Sequence, residues 1–366
     1  MSDSICGFIG LGLIGGSIAK AIRKFMPDYK IIAYDLDQDS LDQALQTNII
    51  DQVCTQVGAD LSNCDLIFLC TPVSHNNHLL KELAPYVKEG AIVTDVGSVK
   101  SSIHQTVQNS SLSKHFIGGH PMAGSETSGF AHSNPLLLEN AFYVFTPTPD
   151  VSQDQILFFQ SFIQNLRAIP IQMTYEEHDY ITAAISHLPH VIASSLVNLV
   201  NDCDDDNGKM KLIAAGGFKD ITRIASSNPT MWQQICLNNS ENIVSLLESY
   251  IMALETIKEH VEQKDSSNLY SFFERSKNYR DSFADASSGP LKKSFAIYLD
   301  IPDEAGAIAT TATLLAKKAI SIKNIGIMHN REYEEGALRI EFYDEQSSLE
   351  AIQTLKDHAY TIYERK

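Results

Sequence analysis

The sequence has few cations, few cysteines and no long apolar run, and each shortage limits what the protein can be. Only 28 Lys and Arg residues face 45 Asp and Glu residues, and the net charge of −17 argues against sequence-independent binding to nucleic acid or anionic membranes. The six cysteines include no C-x-x-C pair, so reduced and largely buried thiols are expected. The N-terminus shows no basic leader and no uninterrupted apolar span, which predicts neither export nor membrane insertion and indicates a cytoplasmic protein.

The chain has the length and composition of a globular protein with two or three domains, since 44% of its 366 residues are apolar. Residues 1–174 alternate short β-branched runs with amphipathic stretches, which predicts an α/β domain with a mostly parallel, Rossmann-type sheet. The predicted strands are 5–9, 31–34, 66–70, 92–95, 142–146 and 169–173. Residues 175–285 have helical periodicity and predict an all-α domain, with one long amphipathic helix over 239–262.

The C-terminal part begins after a turn-forming stretch, D-A-S-S-G-P, which predicts a linker over 286–292. Residues 293–366 then follow the order strand, helix, strand, strand, helix, strand. This β-α-β-β-α-β order is typical of a ferredoxin-like domain. We therefore expect three domains along the chain.

A glycine-rich segment, G-L-G-L-I-G-G at 10–16, lies between the first predicted strand and a predicted helix. Here Gly10 would allow a tight turn, Gly12 would let the backbone approach a pyrophosphate, and Gly15 would let the helix pack against the strand. Asp35, 20 residues after Gly15, would bind the adenosine ribose and repel a 2′-phosphate, which favours NAD over NADP. An ordinary strand–helix turn is the alternative. The predicted cofactor contacts are Gly10, Gly12, Leu13, Ile14, Gly15 and Asp35.

Two further segments follow core strands at the edge where ligands bind in open α/β sheets: C-T-P-V at 70–73 and D-V-G-S-V-K at 95–100. Thr71 and Ser98 are therefore predicted neighbours of the cofactor. Either segment could also be an ordinary turn.

His120 differs from most other histidines because it lies in G-G-H-P-M-A-G-S-E, among glycine, proline and other small residues. We expect a tight loop here that presents the imidazole to a bound substrate. A hydroxyl that loses its proton as hydride leaves its carbon needs such a base. A solvent-exposed loop histidine is the alternative. The histidines expected on polar faces or in loops include His104, His115 and His178.

A second pair of histidines, His187 and His190 in S-H-L-P-H, would share one face of a helix. Zinc binding needs further ligands that this pattern lacks, so no metal site is predicted. Pro189 should bend the helix and free polar groups toward a cavity. We predict that His190 hydrogen-bonds the substrate and that His187 supports it, with a buried core histidine as the alternative for each.

Asp220 and Arg223 lie at i and i+3 in K-D-I-T-R-I-A, so the carboxylate can orient the guanidinium. The apolar neighbours of Arg223 would hold it in a drier place. In so acidic a chain we interpret Arg223 as a fixed fork for a substrate carboxylate, with a surface ion pair as the alternative.

Taken in order, G-G-H-P-M-A-G-S-E, S-H-L-P-H and K-D-I-T-R-I-A resemble the motifs of the prephenate dehydrogenases of tyrosine biosynthesis, and the resemblance covers nearly the whole chain. It implies NAD-dependent oxidative decarboxylation of prephenate to 4-hydroxyphenylpyruvate, with His120 as the base for the ring hydroxyl. It also implies that Ser98 orients His120, that His190 binds the pyruvyl side chain and that Arg223 grips a carboxylate. The other implied positions are two near Arg223 and two that complete the neighbouring subunit's site in a homodimer: Glu126 and Ser186, then Gly216 and Trp232.

The C-terminal part is similar to the amino-acid-binding ACT domains, both in element order and in D-I-P-D-E-A-G at 300–306 and I-K-N-I at 322–325. The resemblance implies that tyrosine binds at an interface between two ACT domains, near Gly306 and Asn324, and inhibits the enzyme. Ala305 stands where that loop often has proline, which departs from the pattern.

Other functions remain open from the sequence. Arogenate carries an amine where prephenate has a ketone, so an arogenate dehydrogenase is the near alternative, although His190, as a donor suited to a carbonyl, favours prephenate. A non-catalytic amino-acid sensor would have lost its machinery, whereas His120, Ser98 and Arg223 are present. A generic β-hydroxyacid dehydrogenase is disfavoured because no lysine stands at the expected start of an active-site helix. Trp232 could also be a plain core residue.

Overall fold

The computed structural model describes residues 4–124, 127–286, 295–302, 304–328, 337–358 and 360–363. Glu126 and residues 287–292 of the predicted linker lie outside the described residues. The chain separates into two compact units, Met1–Glu255 and Thr256–Lys366.

The first sheet of the N-terminal unit follows the predicted alternation of strands and helices. Its elements are β1 (Ile5–Ile9), α1 (Leu13–Phe25), β2 (Lys30–Tyr34), α2 (Gln38–Gln46), β3 (Gln52–Val53), β4 (Leu66–Leu69), α3 (Val73–Leu83), β5 (Ile92–Asp95) and α4 (Ser101–Gln108). All strands are parallel, in the order β3-β2-β1-β4-β5. Alternate residues of β1 enter two separate apolar cores, with Phe8 in one and Ile9 in the other, so both faces of the sheet are covered. The predicted Rossmann-type sheet is confirmed.

A second sheet of three strands extends this unit. It contains β6 (Ile117–Pro121), β7 (Phe142–Pro147), α5 (Gln153–Asn165) and β8 (Ile169–Gln172), with β7 in the centre, antiparallel to β6 and parallel to β8. A parallel bridge between Val93 and Phe116 connects β5 to the residue just before β6. Residues at the end of β5 and in β6 are therefore neighbours.

The structure places His120 in β6, so the predicted tight loop is wrong. The two glycines before it explain the difference. A Cβ on Gly119 would lie 2.5 Å from the carbonyl oxygen of Asp95, and a Cβ on Gly118 would lie 2.4 Å from Oγ1 of Thr146. These glycines allow close packing of a strand against its neighbours instead of a turn. As a consequence, the imidazole is held by a sheet.

The predicted change to helical structure after residue 174 is confirmed. The helices are α6 (Tyr175–Thr182), α7 (Leu188–Cys203), α8 (Lys209–Ile213), α9 (Gly216–Thr222), α10 (Pro229–Asn238), α11 (Ser240–Glu262) and α12 (Ser266–Ala286). A capping box in which Thr174 and Glu177 bond each other's backbone amides begins α6. One π-helical turn, Ala183–His187, joins α6 to α7 just before Pro189, which agrees with the predicted irregularity.

Many large apolar side chains of these helices are exposed in the single chain: Ile185, Leu199, Met210, Leu212, Ile213, Ile221, Met231 and Leu237. Among the described residues, one helical run, Tyr175–Cys203, is long and apolar enough to cross a bilayer by length and composition. A helix that packs against another protein surface meets the same two criteria. An exposed apolar surface of this extent indicates a partner.

The C-terminal unit contains the predicted β-α-β-β-α-β order. Its elements after α12 are β9 (Phe295–Asp300), α13 (Ala307–Lys317), β10 (Ile322–Met328), β11 (Ala337–Phe342), α14 (Glu345–Lys356) and β12 (Ile362–Tyr363). The sheet is antiparallel, in the order β10-β11-β9-β12. Both helices, α13 and α14, contribute to one apolar core with the strands, through residues such as Leu315 and Leu355. This is a ferredoxin-like arrangement.

Candidate active site

The loop between β1 and α1 has the shape of a phosphate cradle. Gly10 has a φ of +101°, and a Cβ on Gly15 would lie 2.3 Å from the carbonyl oxygen of Gly10, so both positions require glycine. A Cβ on Gly12 would meet nothing within 4 Å, which leaves this backbone open to a ligand. Leu13 and Ile14 begin α1, whose first turn contains no acidic residue. The N-terminal amides and the helix dipole can therefore receive an anion, and the loop fits the pyrophosphate of a dinucleotide.

Two side chains border this loop at the ends of neighbouring strands. Asp35 follows β2, and its Oδ2 accepts a hydrogen bond of 2.5 Å from the backbone N–H of Leu11. This contact holds the carboxylate beside the glycine loop, where a ribose would follow the phosphates. Thr71 follows β4, and its Cγ2 would lie 3.3 Å from a Cβ on Gly10. Both residues therefore lie beside the glycine loop, and their contacts with a cofactor stay a prediction.

The ring of His120 does not stand alone. Its Nδ1 lies 2.8 Å from Nε2 of His178, in α6, and Nδ1 of His178 lies 2.7 Å from Oδ1 of Asp179. His178 and Asp179 have no exposed surface, whereas His120 is only half-buried and remains accessible to a ligand. Two imidazoles and a carboxylate thus form a continuous chain that ends at the accessible ring.

A buried ion pair lies next to this chain. The ammonium of Lys100 donates to Oδ2 of Asp95, at the end of β5, and to the carbonyl oxygen of Gly119 at 2.8 Å. The backbone N–H of Gly119 donates to the other oxygen of Asp95, at 3.1 Å. Burial lowers the pKa of Lys100, and the carboxylate of Asp95 opposes this shift. The pair fixes the strand residue that precedes His120.

The surroundings of His120 keep its imidazole uncharged. Burial lowers its pKa well below the usual range, and His178, Lys100 and His187 lower it further. A neutral imidazole is the form that can accept a proton. Ser98 lies in the loop after β5, and among the described residues it makes no hydrogen bond to His120, which is bonded to His178 instead. The implied contact of Ser98 with His120 is therefore not formed in the structure, and its place beside the nicotinamide stays a prediction.

The π-helical turn before α7 places the second pair of histidines. Nδ1 of His190 donates to the carbonyl oxygen of Ser186, at 2.9 Å. His187 is fully buried, and its Nδ1 lies 3.1 Å from Nδ2 of Asn239, which can donate to it. Burial lowers the pKa of His187 to about 4 and also lowers the pKa of His190. His187 is thus a buried histidine bonded to Asn239, and its predicted support of His190 stays a prediction.

Trp232, in α10, packs on His190 of the same chain. The two rings are nearly parallel, with centroids 3.6 Å apart, and the indole meets His187 edge-on at 6.0 Å. Its Nε1 is buried without a hydrogen-bond partner among the described residues. Within one protomer, Trp232 therefore belongs to the histidine cluster; its implied role in a neighbouring subunit stays a prediction.

The residues predicted to capture a carboxylate lie on the exposed side of the helical region. Arg223 begins a 3₁₀ turn after α9 and is exposed in the single chain, as are Asp220 and Ile221. The expected drier place for Arg223 is therefore not formed within one chain. Gly216 is the first residue of α9 and is half-buried. Burial is the largest cause that lowers the pKa of His190, and the positive charge of Arg223 lowers it further, so Arg223 lies within electrostatic range of this ring.

Three residues of this site, His178, Asp179 and Lys100, were not predicted from the sequence. His104, His115 and His178 are buried, so their predicted placement on polar faces or in loops is wrong. The physical reason is that tertiary packing covers them: the start of α4 lies against α6, where Asp179 accepts bonds from the backbone amides of Lys100 and Ser101. The adjacent polar residues His178 and Asp179, inside the helix α6, were the sequence signal that could have indicated this site.

No metal ligand cluster is found either: within the described ranges, no three or more His, Cys, Asp or Glu side chains are grouped to hold an ion. The zinc interpretation of His187 and His190 therefore gains no support from their surroundings.

Comparison with known proteins finds one family over two consecutive parts of the chain. The family description "prephenate dehydrogenase, nucleotide-binding domain" matches residues 18–171, and "prephenate dehydrogenase, dimerization domain" matches residues 174–275. The chain is 37% identical over 361 residues to the prephenate dehydrogenase of Bacillus subtilis, covering 98% of this chain and 97% of that one. It is 31% identical over 273 residues to the cyclohexadienyl dehydrogenase of Zymomonas mobilis, covering 74% of this chain and 93% of that one.

Solved structures agree. Prephenate dehydrogenase from Aquifex aeolicus, in complex with hydroxyphenyl propionate and NAD+, superposes with a TM-score of 0.72 at 32% identity, covering 77% of this chain and 99% of that one. Arogenate dehydrogenase from Synechocystis gives a TM-score of 0.70 at 29% identity, covering 76% of this chain and 99% of that one. With the glycine cradle, the buried histidines and two matched domains in place, the chain belongs to the prephenate dehydrogenase family.

Proposed function

We propose that this protein oxidises and decarboxylates prephenate to 4-hydroxyphenylpyruvate, with NAD as its cofactor. The observation that carries the proposal is the half-buried, uncharged imidazole of His120, held in β6 within a chain that belongs to this family. A neutral base fixed at the ligand edge of a dinucleotide-binding sheet suits the abstraction of a hydroxyl proton.

The chemistry then follows from these residues. His120 accepts the proton of the ring 4-hydroxyl. NAD, when bound, would accept the hydride from the ring carbon that carries this hydroxyl. The ring carboxylate leaves as carbon dioxide, its bonding electrons complete the aromatic ring, and the oxygen takes the proton back. Because aromaticity drives the reaction forward, the protein mainly has to position and polarise the substrate.

We propose that Arg223 binds a negatively charged carboxylate of the substrate and that His190 binds the ketone of its side chain. Arg223 supplies a fork suited to a carboxylate. His190 already donates from Nδ1 to Ser186, so in its neutral form Nε2 is an acceptor and cannot donate to a ketone. This differs from the donor role expected from the sequence. A bound dianion would raise the pKa of His190 and favour the protonated ring, which can donate.

The hydrogen bond from Nδ1 of His190 to Ser186 also favours a second candidate function. A neutral His190 can accept a hydrogen bond from the ammonium group of arogenate, which prephenate lacks. We therefore propose arogenate as the alternative substrate. Structural similarity to an arogenate dehydrogenase is consistent with it.

Steady-state kinetics decide between these functions. We expect a higher kcat/KM for prephenate than for arogenate, and a KM for prephenate that rises with pH as His190 loses its proton. A higher kcat/KM for arogenate would transfer the assignment to arogenate.

His120→Asn should lower kcat by about 100- to 10,000-fold with little change in NAD affinity. Near-normal turnover of that variant would remove the proposed base.

Dimerisation and feedback regulation complete the proposal. The exposed apolar side chains of the helical region, within residues matched as a dimerization domain, support a homodimer, which sedimentation equilibrium would detect.

The ferredoxin-like C-terminal unit supports an amino-acid site, proposed for tyrosine near Gly306 and Asn324. Gly306 has a φ of +98° at the start of α13, and Asn324 is exposed in β10. Tyrosine should inhibit the wild type and inhibit Asn324→Ala less, with Thr313→Ala as the control; no inhibition of the wild type would exclude this regulation.

A further inference from the structure

The hydrogen-bonding atoms around Asp179 allow one arrangement of protons. Its carboxylate accepts hydrogen bonds from the backbone amide of Lys100 at 2.8 Å and from the amide and hydroxyl of Ser101 at 2.7 and 2.5 Å. The pKa of Asp179 is lowered: burial would raise it, and hydrogen bonds from His178, Ser101 and Lys100 outweigh that burial. An ionised carboxylate can only accept. Nδ1 of His178, 2.7 Å away, must therefore be the donor.

The next contact follows from that one. Burial is the largest cause that lowers the pKa of His178, so this ring is neutral, and with its proton on Nδ1 its Nε2 can only accept. Nδ1 of His120 lies 2.8 Å from that Nε2 and must donate to it. If His120 carried its proton on Nε2 instead, two lone pairs would face each other at the fully buried ring of His178, at the cost of an unmade buried hydrogen bond.

We propose that Asp179 and His178 position His120 by fixing its tautomer, so that Nε2 of His120 carries the lone pair that takes the proton of the substrate hydroxyl. This proposal rests on the proposed function of His120 as the base. Asp179 and His178 are both positioning residues, since they act through His120 and do not touch the substrate. The same logic operates wherever a buried carboxylate orients a catalytic histidine, although here a second imidazole lies between them.

The charged and titratable groups around the chain fit this role. Burial is the largest cause that lowers the pKa of His120, and the charges of His178, Lys100 and His187 lower it further. Asp179 and Asp95 act on His178 in the opposite direction. After proton transfer the imidazolium of His120 still donates from Nδ1 to His178, so the hydrogen bond persists through the step.

A spectroscopic measurement tests the tautomer directly. In the full-length protein with ¹⁵N-labelled histidine, His120, identified by its loss in His120→Asn, should show a protonated Nδ1 and an unprotonated Nε2 at neutral pH. In Asp179→Asn the amide can donate to His178, which reverses the proton order and moves the proton of His120 to Nε2. A protonated Nε2 on His120 in the wild type would overturn the proposal.

Kinetics give a second readout. Asp179→Asn should lower kcat by about 100- to 10,000-fold while the KM values for NAD and prephenate change little. Glu176→Gln, an exposed carboxylate on the same helix, is the matched control and should keep wild-type kcat. His178→Phe should lose as much activity as Asp179→Asn, whereas His178→Gln, whose amide oxygen can accept from His120, should recover part of it.

The outcomes separate the two proposals. If His120→Asn is inactive while folded Asp179→Asn and His178→Phe keep wild-type kcat, the base stands and the positioning role is wrong. If His120→Asn keeps its activity, the proposed function of His120 fails, whatever tautomer the spectrum shows. Equal losses in His178→Gln and His178→Phe, with both variants folded, would also contradict the positioning role.

Discussion

The imidazole of His190 lies flat against the indole of Trp232, with the ring centroids 3.6 Å apart and an angle of 24° between the planes. This stack joins α7 to α10 and fixes the ring that we propose to bind the substrate side chain. A stacked aromatic pair contributes about 0.5–1.5 kcal/mol beyond its buried area. The contact is therefore large enough to influence substrate binding.

Replacing Trp232 tests this stack. Trp232→Leu should raise the KM for the substrate roughly two- to tenfold, because His190 loses its support, and should leave the KM for NAD unchanged. Trp232→Phe keeps an aromatic face and should stay near the wild type. Steady-state kinetics with each variant measure both effects. An equal rise for Phe and Leu would show that the stack does not position His190.

Arg223 is expected to act on binding more than on turnover. Arg223→Gln removes a charge-assisted hydrogen bond worth about 1.5–3 kcal/mol, so the KM for the substrate should rise roughly 10- to 150-fold with a small change in kcat. Lys219→Gln, an exposed cation in α9, is the control and should behave as the wild type. An unchanged KM for Arg223→Gln would exclude the proposed contact with a carboxylate.

Asp35 is expected to select the cofactor. Its carboxylate lies beside the glycine loop, so Asp35→Ser should raise the KM for NAD roughly tenfold or more and improve the use of NADP, because a negative charge near a 2′-phosphate is removed. Kinetics with both cofactors give the ratio. Asp39→Ser, in the first turn of α2, removes a nearby exposed charge and should leave the ratio unchanged. The same ratio in both variants would assign the selectivity elsewhere.

Gly119 should tolerate no side chain. A Cβ there would lie 2.5 Å from the carbonyl oxygen of Asp95 and 2.9 Å from the hydroxyl of Tyr143, and a backbone atom cannot move aside cheaply. Gly119→Ala should lower the free energy of unfolding by about 1–3 kcal/mol or more. Urea denaturation measures the change. Gly124→Ala is the control for stability, because its Cβ would meet nothing within 4 Å; equal stability of the two variants would contradict the packing argument.

Buried histidines should make the protein less stable in acid. Burial lowers the pKa values of His104 and His187 to about 4, against about 6.5 in an unfolded chain. Between these pH values the unfolded chain binds more protons than the folded protein. The contribution of these histidines to the free energy of unfolding is therefore fully present above about pH 6.5 and is lost as the pH drops toward 4. Denaturation at fixed protein concentration should show this slope, and His104→Gln should reduce it. A wild-type stability that does not change between pH 7 and 4.5 would exclude the effect.

Much of the fold could be predicted because its signals are local. Helical and strand periodicity located the Rossmann-type sheet, the helical region and the ferredoxin-like order. The glycine loop and Asp35 were found for the same reason: a turn with φ of +101° at Gly10 and a strand packed against a helix at Gly15 each require glycine in the sequence itself.

The environment of His120 could not be predicted, because no local pattern encodes it. The glycines before it suggested a loop, whereas in the structure they allow β6 to pack against β5 and β7. His178 lies 58 residues away along the chain, and Asp179 contacts Lys100 and Ser101 across 79 and 78 residues.

The sequence by itself therefore determined that the chain forms a dinucleotide-binding sheet with a histidine of unusual surroundings, since backbone conformation and periodicity are properties of neighbouring residues. Only the tertiary structure decided which groups surround that histidine. Burial and hydrogen bonds between distant segments set the charge of His120 and the atom that can take a proton, and both depend on packing in three dimensions.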